Sequence, residues 1–248
     1  MKFFKRSKNN IKKSNIYKKK SGKRFFIPPI VLFVAGFLLL IALLSVSTYL
    51  AYKWGTNRTE RLSQELVNLR SAMNIDSVRQ YQIQKVMKII EAHNPNLSSV
   101  ETYDVASEIY ELSVKYTNLN VDLLCALITH ETGATWNPKV VSKANALGLM
   151  QVLPVTGYFL ANYEGISWTT PEEVLFNPVY NLRIGSRLLS TLVAQYGLDG
   201  GLAAYNGGEK QAAIWLANGK DDQYLWSETR KYIPAVRKLY AEYQTRGL

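Results

Sequence analysis

The chain is short of the residues that most often carry chemistry. Among 248 residues there is one cysteine and there are two histidines. A lone cysteine excludes an intramolecular disulfide framework and a cysteine-based zinc site. Cys125 lies inside the run Leu123-Leu124-Cys125-Ala126-Leu127-Ile128, which reads as a small buried core residue, not a nucleophile. His93 and His130 are too few for a histidine-rich metal centre. His130-Glu131 opens like the His-Glu-x-x-His zinc signature, but Ala134 stands where the second ligand belongs.

Acidic residues are missing from the first 24 positions, which carry eleven lysines and arginines. The whole chain has 30 basic and 19 acidic residues, a formal net charge of +11. The rest, 25–248, therefore holds 19 of each sign. The high isoelectric point describes a tail, not a basic domain, and nucleic acid is excluded as a partner because no basic surface remains to pair with phosphates. Charge of either sign is absent from Phe25 to Tyr52. Ile30 to Ala51 is almost wholly apolar, about 22 residues or roughly 33 Å of helix, enough to cross a hydrocarbon core. Tyr49, Tyr52 and Trp54 supply interfacial aromatics at its far end. The basic flank predicts a cytoplasmic N-terminus and an extracytoplasmic remainder, single-pass in the cell membrane. A retained signal anchor is favoured over a cleaved signal peptide, because the best cleavage candidate, Ser45-Val46-Ser47, lies deep in the apolar run.

Four segments follow: a basic tail at 1–24, a membrane span at 25–52, a helical stalk at 53–97 and a globular domain at 98–248. In the stalk, Leu62, Leu66, Leu69 and Met73 form an a/d seam that Asp76 and Gln80 interrupt before Ile83, Met87 and Ile90 resume it. Both a stalk packed on the domain behind it and a weak dimer through the stalk fit this pattern. Asn94-Pro95-Asn96 stops the helix.

The domain reads as all-α. Ser98 and Glu101 form a capping-box pair for a helix to about Tyr116, and a second helix covers Val121 to Thr132. Thr170-Pro171-Glu172-Glu173 is an N-terminal signature, and Pro178 opens a long amphipathic helix closed by Gly197. Leu202 to Tyr205, Gln211 to Ala217 and Glu228 to Tyr243 read as further helices. Only Val140 to Leu147 suggests a β-like loop. Glu131 follows Leu124, Leu127 and Ile128 at helical offsets, so it continues an apolar face, and it sits in the helix's last turn. Both features disfavour the ionised carboxylate and raise its pKa, as a general acid near neutral pH requires. Seen on the helix alone, a glutamate swinging out to solvent fits as well.

The surroundings decide between these. After Glu131 come Trp136-Asn137-Pro138, Ser142, Gly148-Leu149-Met150-Gln151, Pro154 and Thr156; then Asn177-Pro178 with Asn181-Leu182 and Gly185; then Ala203-Ala204-Tyr205-Asn206-Gly207-Gly208; then Ser227-Glu228-Thr229-Arg230 with Tyr232. This ordered series resembles the catalytic domain of the soluble lytic transglycosylase (SLT) family, with its lysozyme-like fold, over roughly 121–243. The resemblance implies that Glu131 is the catalytic acid/base and that Ser142 helps to position the carboxylate or the sugar. It implies further that Met150 and Gln151 line a saccharide groove and that Tyr205 and Asn206 contact the sugar beside the cleaved bond. Glu228 and Tyr232 would border and support the site. Thr132-Gly133-Ala134-Thr135 is a departure, a two-residue insertion directly after the catalytic position, which bears on the Ser142 contact more than on the identity of Glu131. Asn145 also replaces a common glycine.

The implied reaction is cleavage of the β-1,4 bond between N-acetylmuramic acid and N-acetylglucosamine in peptidoglycan, with a 1,6-anhydro end as product. The sugar's own C6 hydroxyl is the nucleophile, so a single carboxylate suffices where a glycosidase normally needs two. No metal or organic cofactor is implied. A lysozyme-type hydrolase on the same scaffold and a non-catalytic wall-binding anchor of an envelope complex are the competing readings.

Overall fold

The computed structural model describes residues 28–245, so the basic tail and the first apolar positions, 25–27, lie outside the described residues. The chain divides into two compact units, 1–67 and 68–248. The first unit contributes the beginning of helix α1 (Pro29–His93). Its apolar stretch is long enough to cross a membrane, and none of it is buried. Leu, Ile and Phe side chains from Ile30 to Leu50 stand exposed on all sides, as lipid-facing residues do and core residues do not.

The second unit is all-α. Its core opens inside the stretch read as stalk: Ile83, Val86, Ile89 and Ile90, in the last turns of α1, are buried. Of the positions at which the interrupted seam resumes, Ile83 and Ile90 are buried and Met87 is partly buried. They pack with α2 (Ser99–Lys115) and α3 (Val121–Glu131) in one hydrophobic cluster. Lys85, almost inaccessible, is neutralised there by Asp122 at 2.8 Å. Helix α1 ends at His93, before the expected Asn-Pro stop.

Capping chemistry sets several helix starts. The Ser98–Glu101 capping box is formed reciprocally, and Asn120 Oδ1 accepts from Leu123 N to open α3. Thr170 caps α5 (Pro171–Leu175) by accepting from Glu173 N. Helix α4 (Pro154–Ala161) follows the Gly-Leu-Met-Gln segment and had no periodicity of its own to announce it; Pro154 sits at its start and no side chain caps it. Helix α6 runs Pro178–Gly207, beyond the expected end at Gly197. Gly197 does leave helical geometry (φ 70°, ψ 176°), but as a kink from which the helix resumes through Tyr205. Helix α7 is Glu209–Ala217, and α8 is Ser227–Thr245 with Pro234 inside it. The expected β-like loop appears as two isolated bridges, Val141 with Leu147 and Leu147 with Val152.

Candidate active site

Helix α3 is buried along almost its whole length, from Leu123 to Thr129 without a break. Its final residue, Glu131, is therefore delivered to the edge of the core with its side chain half-buried. The Glu131 carboxyl receives one hydrogen bond, at 2.5 Å, from the hydroxyl of Tyr232 on α8. Tyr232 is only 2 % exposed, so the donor is fixed in place. Burial pushes the Glu131 pKa up from 4.5 to about 7. The Tyr232 hydrogen bond pulls it down, and the negative charge of Glu228 pushes it further up. A carboxyl poised there is protonated or ionised with little cost near neutrality, which suits one group acting first as acid and then as base.

Two phenols accompany it. Tyr205, at the end of α6, donates to the carbonyl oxygen of Met150 at 2.7 Å. Burial first, and the Glu131 charge second, hold its pKa well above the ordinary value, and Tyr232 is held up for the same reasons. Both stay neutral donors. His130 meets the Tyr232 ring edge-on, with centroids 4.7 Å apart, and its pKa is lowered by burial against the opposing charge of Glu228. Asn206 Oδ1 accepts from the Thr229 hydroxyl at 2.8 Å, which fixes the orientation of its amide. Gln151, Thr156, Tyr205, Asn206 and Glu209 line one open groove of about 340 Å³.

The structure thus gathers Glu131, Tyr205, Tyr232 and Glu228 within interaction range, and Gln151, Tyr205 and Asn206 along one groove. Met150 and Ser142 are placed differently, and the side-chain amide of Gln151, although in the groove, is turned to the loop. Met150 is completely buried, its thioether against Gly185 and the Ser186 hydroxyl, so it stands behind the groove and meets Tyr205 through its carbonyl. Gln151 donates its side-chain amide to the carbonyls of Val140 and Gly148. The Ser142 hydroxyl accepts from Ala146 N at 3.0 Å and shapes the loop; among the described residues no hydrogen bond joins it to Glu131.

Asn181 carries a role that its place in the motif series did not disclose. It is wholly buried, accepts from Met150 N and donates to the carbonyls of Leu147 and Leu175, so one side chain ties the Gly-Leu-Met-Gln segment to α6. Gly148 (φ 79°) leaves room for that amide, since a Cβ would collide with Asn181 and the Leu175 carbonyl. The segment after Glu131 is a tight reversal in which Gly133, Ala134 and Trp136 all have positive φ (57°, 63° and 48°). For Ala and Trp this backbone costs about 1–3 kcal/mol each, so surrounding contacts must enforce it.

Comparison with known families fits this geometry to a recognised domain. The description "Transglycosylase SLT domain" matches residues 111–225. Residues 111–225 are a transglycosylase SLT domain. The match reaches from the end of α2 to just before α8, so Glu131, Gln151, Tyr205 and Asn206 lie within the SLT domain, whereas Glu228 and Tyr232 lie beyond the matched stretch. The chain is 36 % identical over 129 residues to a putative soluble lytic murein transglycosylase of Haemophilus influenzae, covering 48 % of this chain and 22 % of that one. It is 28 % identical over 166 residues to the membrane-bound lytic murein transglycosylase C of Glaesserella parasuis, covering 55 % and 44 %. It also aligns with the crystal structure of the 70 kDa soluble lytic transglycosylase of Escherichia coli, at 27 % identity and a TM-score of 0.47, over 58 % of this chain and 27 % of that one. The chain spans about a fifth of the length of its Haemophilus relative.

Proposed function

We propose that this protein is a peptidoglycan lytic transglycosylase that works on the cell wall from a membrane anchor. The observation that carries the reading is the single carboxyl of Glu131, raised to about 7 inside an SLT domain and held by Tyr232. Protonated Glu131 gives its proton to the glycosidic oxygen between N-acetylmuramic acid and N-acetylglucosamine, and that C–O bond breaks. The muramic C6 hydroxyl attacks its own C1, and the Glu131 carboxylate takes the hydroxyl proton. The products are an N-acetylglucosamine hydroxyl and a 1,6-anhydro ring; no water enters, and the carboxyl ends protonated as it began. Intramolecular attack replaces the second carboxylate of an ordinary glycosidase.

In this reading Tyr205, Asn206 and Gln151 meet the sugar from the groove. Tyr232 and Glu228 set the proton affinity of Glu131, while Met150 and Ser142 shape the wall behind it. The exposed apolar stretch of α1 spans the membrane, and the basic tail holds the N-terminus in the cytoplasm. Mass spectrometry of muropeptides released from purified peptidoglycan tests the chemistry. Anhydro-muramoyl ends are expected; reducing ends would make the protein a hydrolase, and no release would leave a wall-binding anchor. Protease added to spheroplasts tests the topology: the domain should be digested while an N-terminal tag survives on the membrane fragment.

A further inference from the structure

The strained turn after Glu131 is gripped by two elements remote in sequence. Trp136, 1 % exposed, donates its ring Nε1–H to the Thr129 hydroxyl oxygen at 2.9 Å. The same oxygen lies 2.8 Å from the hydroxyl of Tyr243 on α8, and Tyr243 in turn lies 3.3 Å from His93 Nε2, at the last residue of α1. Next to it, Asn94 donates its side-chain amide to the Trp136 carbonyl at 3.2 Å. Trp136 N completes the clasp on the Thr132 hydroxyl, which itself donates to Ile128 O. Thr129, Trp136 and Tyr243 are all buried, so these bonds do not compete with water. The reversal leaves no slack between Thr129 and Trp136, and Glu131 is between them.

Helix α8 thereby holds α3 twice. Tyr232 takes the carboxyl of Glu131 and Tyr243 takes Thr129; the two tyrosines lie about three turns apart, on nearly the same stripe of α8. The third hold comes from the end of α1, through His93 and the residue that follows it, Asn94. Without it, Ala134 and Trp136 would relax out of left-handed backbone, and the end of α3 would lose its fixed direction.

We propose that Asn94 and Tyr243 are positioning residues for the Glu131 carboxyl, acting through the Trp136 turn and so joining the last turn of α1 to the reacting centre. This rests on the lytic transglycosylase reading for its kinetic consequence but not for its structural one. A misplacement on the ångström scale costs a reaction about 100-fold. Asn94→Ala and Tyr243→Phe, in the full chain in detergent micelles, are therefore expected to lower kcat about 10- to 100-fold with KM little changed. Thr129→Val should behave like them, and Thr129→Ser, which keeps the oxygen, should retain wild-type turnover. Carbon-13 NMR of the Glu131 carboxyl, assigned by its loss in Glu131→Gln, gives a readout independent of turnover. The titration midpoint should fall from about 7 toward the ordinary carboxylate range in Asn94→Ala and Thr129→Val, as water reaches the group, and stay put in Thr129→Ser. Variants that lose thermal stability while kcat and the midpoint stay at wild-type values would overturn the proposal. Should the wild-type protein release no muropeptides, the function above fails and the carboxyl titration alone decides this one.

Discussion

Replacing Glu131 by glutamine tests the site most directly, because the structure predicts opposite effects on turnover and on stability. Glutamine fills the same space and its Oε1 can still accept from Tyr232, but it has no proton acidic enough for the glycosidic oxygen. General acid–base catalysis is worth about 10²–10⁴-fold, so anhydro-muropeptide release should fall by at least that range. The stability effect follows from proton linkage. A carboxyl moved from 4.5 to about 7 binds its proton more tightly in the folded chain than in the unfolded one. Between those two pH values the native state holds more protons, so wild-type stability falls as pH rises through the window. Each tenfold change in proton affinity is about 1.4 kcal/mol, which leaves the native state roughly 3 kcal/mol less stable above pH 7 than below 4.5 on this account. Glu131→Gln removes that cost. Its Tm should match the wild-type value near pH 4.5 and exceed it by several degrees at pH 8, at about 2–4 °C per kcal/mol for a domain of this size. Differential scanning calorimetry across the pH range measures the difference. A Tm gap that is flat with pH, or that favours the wild type at pH 8, would refute the buried-carboxyl argument even if activity disappears.

The other site and fold predictions are more local. Tyr232→Phe removes the hydroxyl that favours the ionised carboxylate, so the basic limb of the kcat–pH profile should move above about 7; an unmoved or lowered limb would break the link between the two residues. Asn181→Ala leaves the Met150 amide and the Leu175 carbonyl without a buried partner, while the Leu147 carbonyl keeps Val152 N, a loss of about 2 kcal/mol or more at about 1–3 kcal/mol per group. Chemical denaturation measures it, and Gly148→Ala should be comparably damaging because the new methyl strikes the same amide. Deleting residues 1–56 should leave a soluble, helix-rich protein by circular dichroism. Deletion through His93 should aggregate, because it strips Ile83, Val86, Ile89 and Ile90 from the core; a soluble, cooperatively melting product would show that α1 is only a spacer.

What could be read from the sequence was mostly what depends on neighbours in the chain. The Ser98–Glu101 and Thr170–Glu173 caps act across three residues and appear as written. The apolar run and the exposed first part of α1 agree because membrane-spanning length is a local property. Gly197 was legible as a break in helical dihedrals but not as a kink, since whether α6 resumes depends on Gly200 and Gly201 packing closely against Leu216 and Val193. The identity of Glu131 rested on its apolar face together with the series of motifs behind it. Its partner Tyr232 stands 101 residues away, and only the family resemblance brought the two into one sentence.

Motifs name positions without saying which atoms of them work. The Gly-Leu-Met-Gln segment suggested side chains lining a groove, yet Met150 meets Tyr205 through its carbonyl, and Gln151 spends its amide on Val140 and Gly148. That division is physical. A thioether flanked by Gly185 and Ser186 is worth most when buried, and a backbone carbonyl at the core's edge must find a donor. Tyr205 supplies the donor, which commits its hydroxyl to the loop and leaves the ring to border the groove. The turn after Glu131 obeys the same accounting. It forces Ala134 and Trp136 into costly backbone, and the hydrogen bonds that offset the cost come from Thr129 on α3 and Thr132 in the turn, backed by Asn94 just after α1 and by Tyr243 on α8. A strained turn beside a buried carboxyl persists only where the surrounding structure fixes it. Here Asn94, Thr129 and Tyr243 do so, and on the proposal above the end of α1 acts on the site as well as on the core.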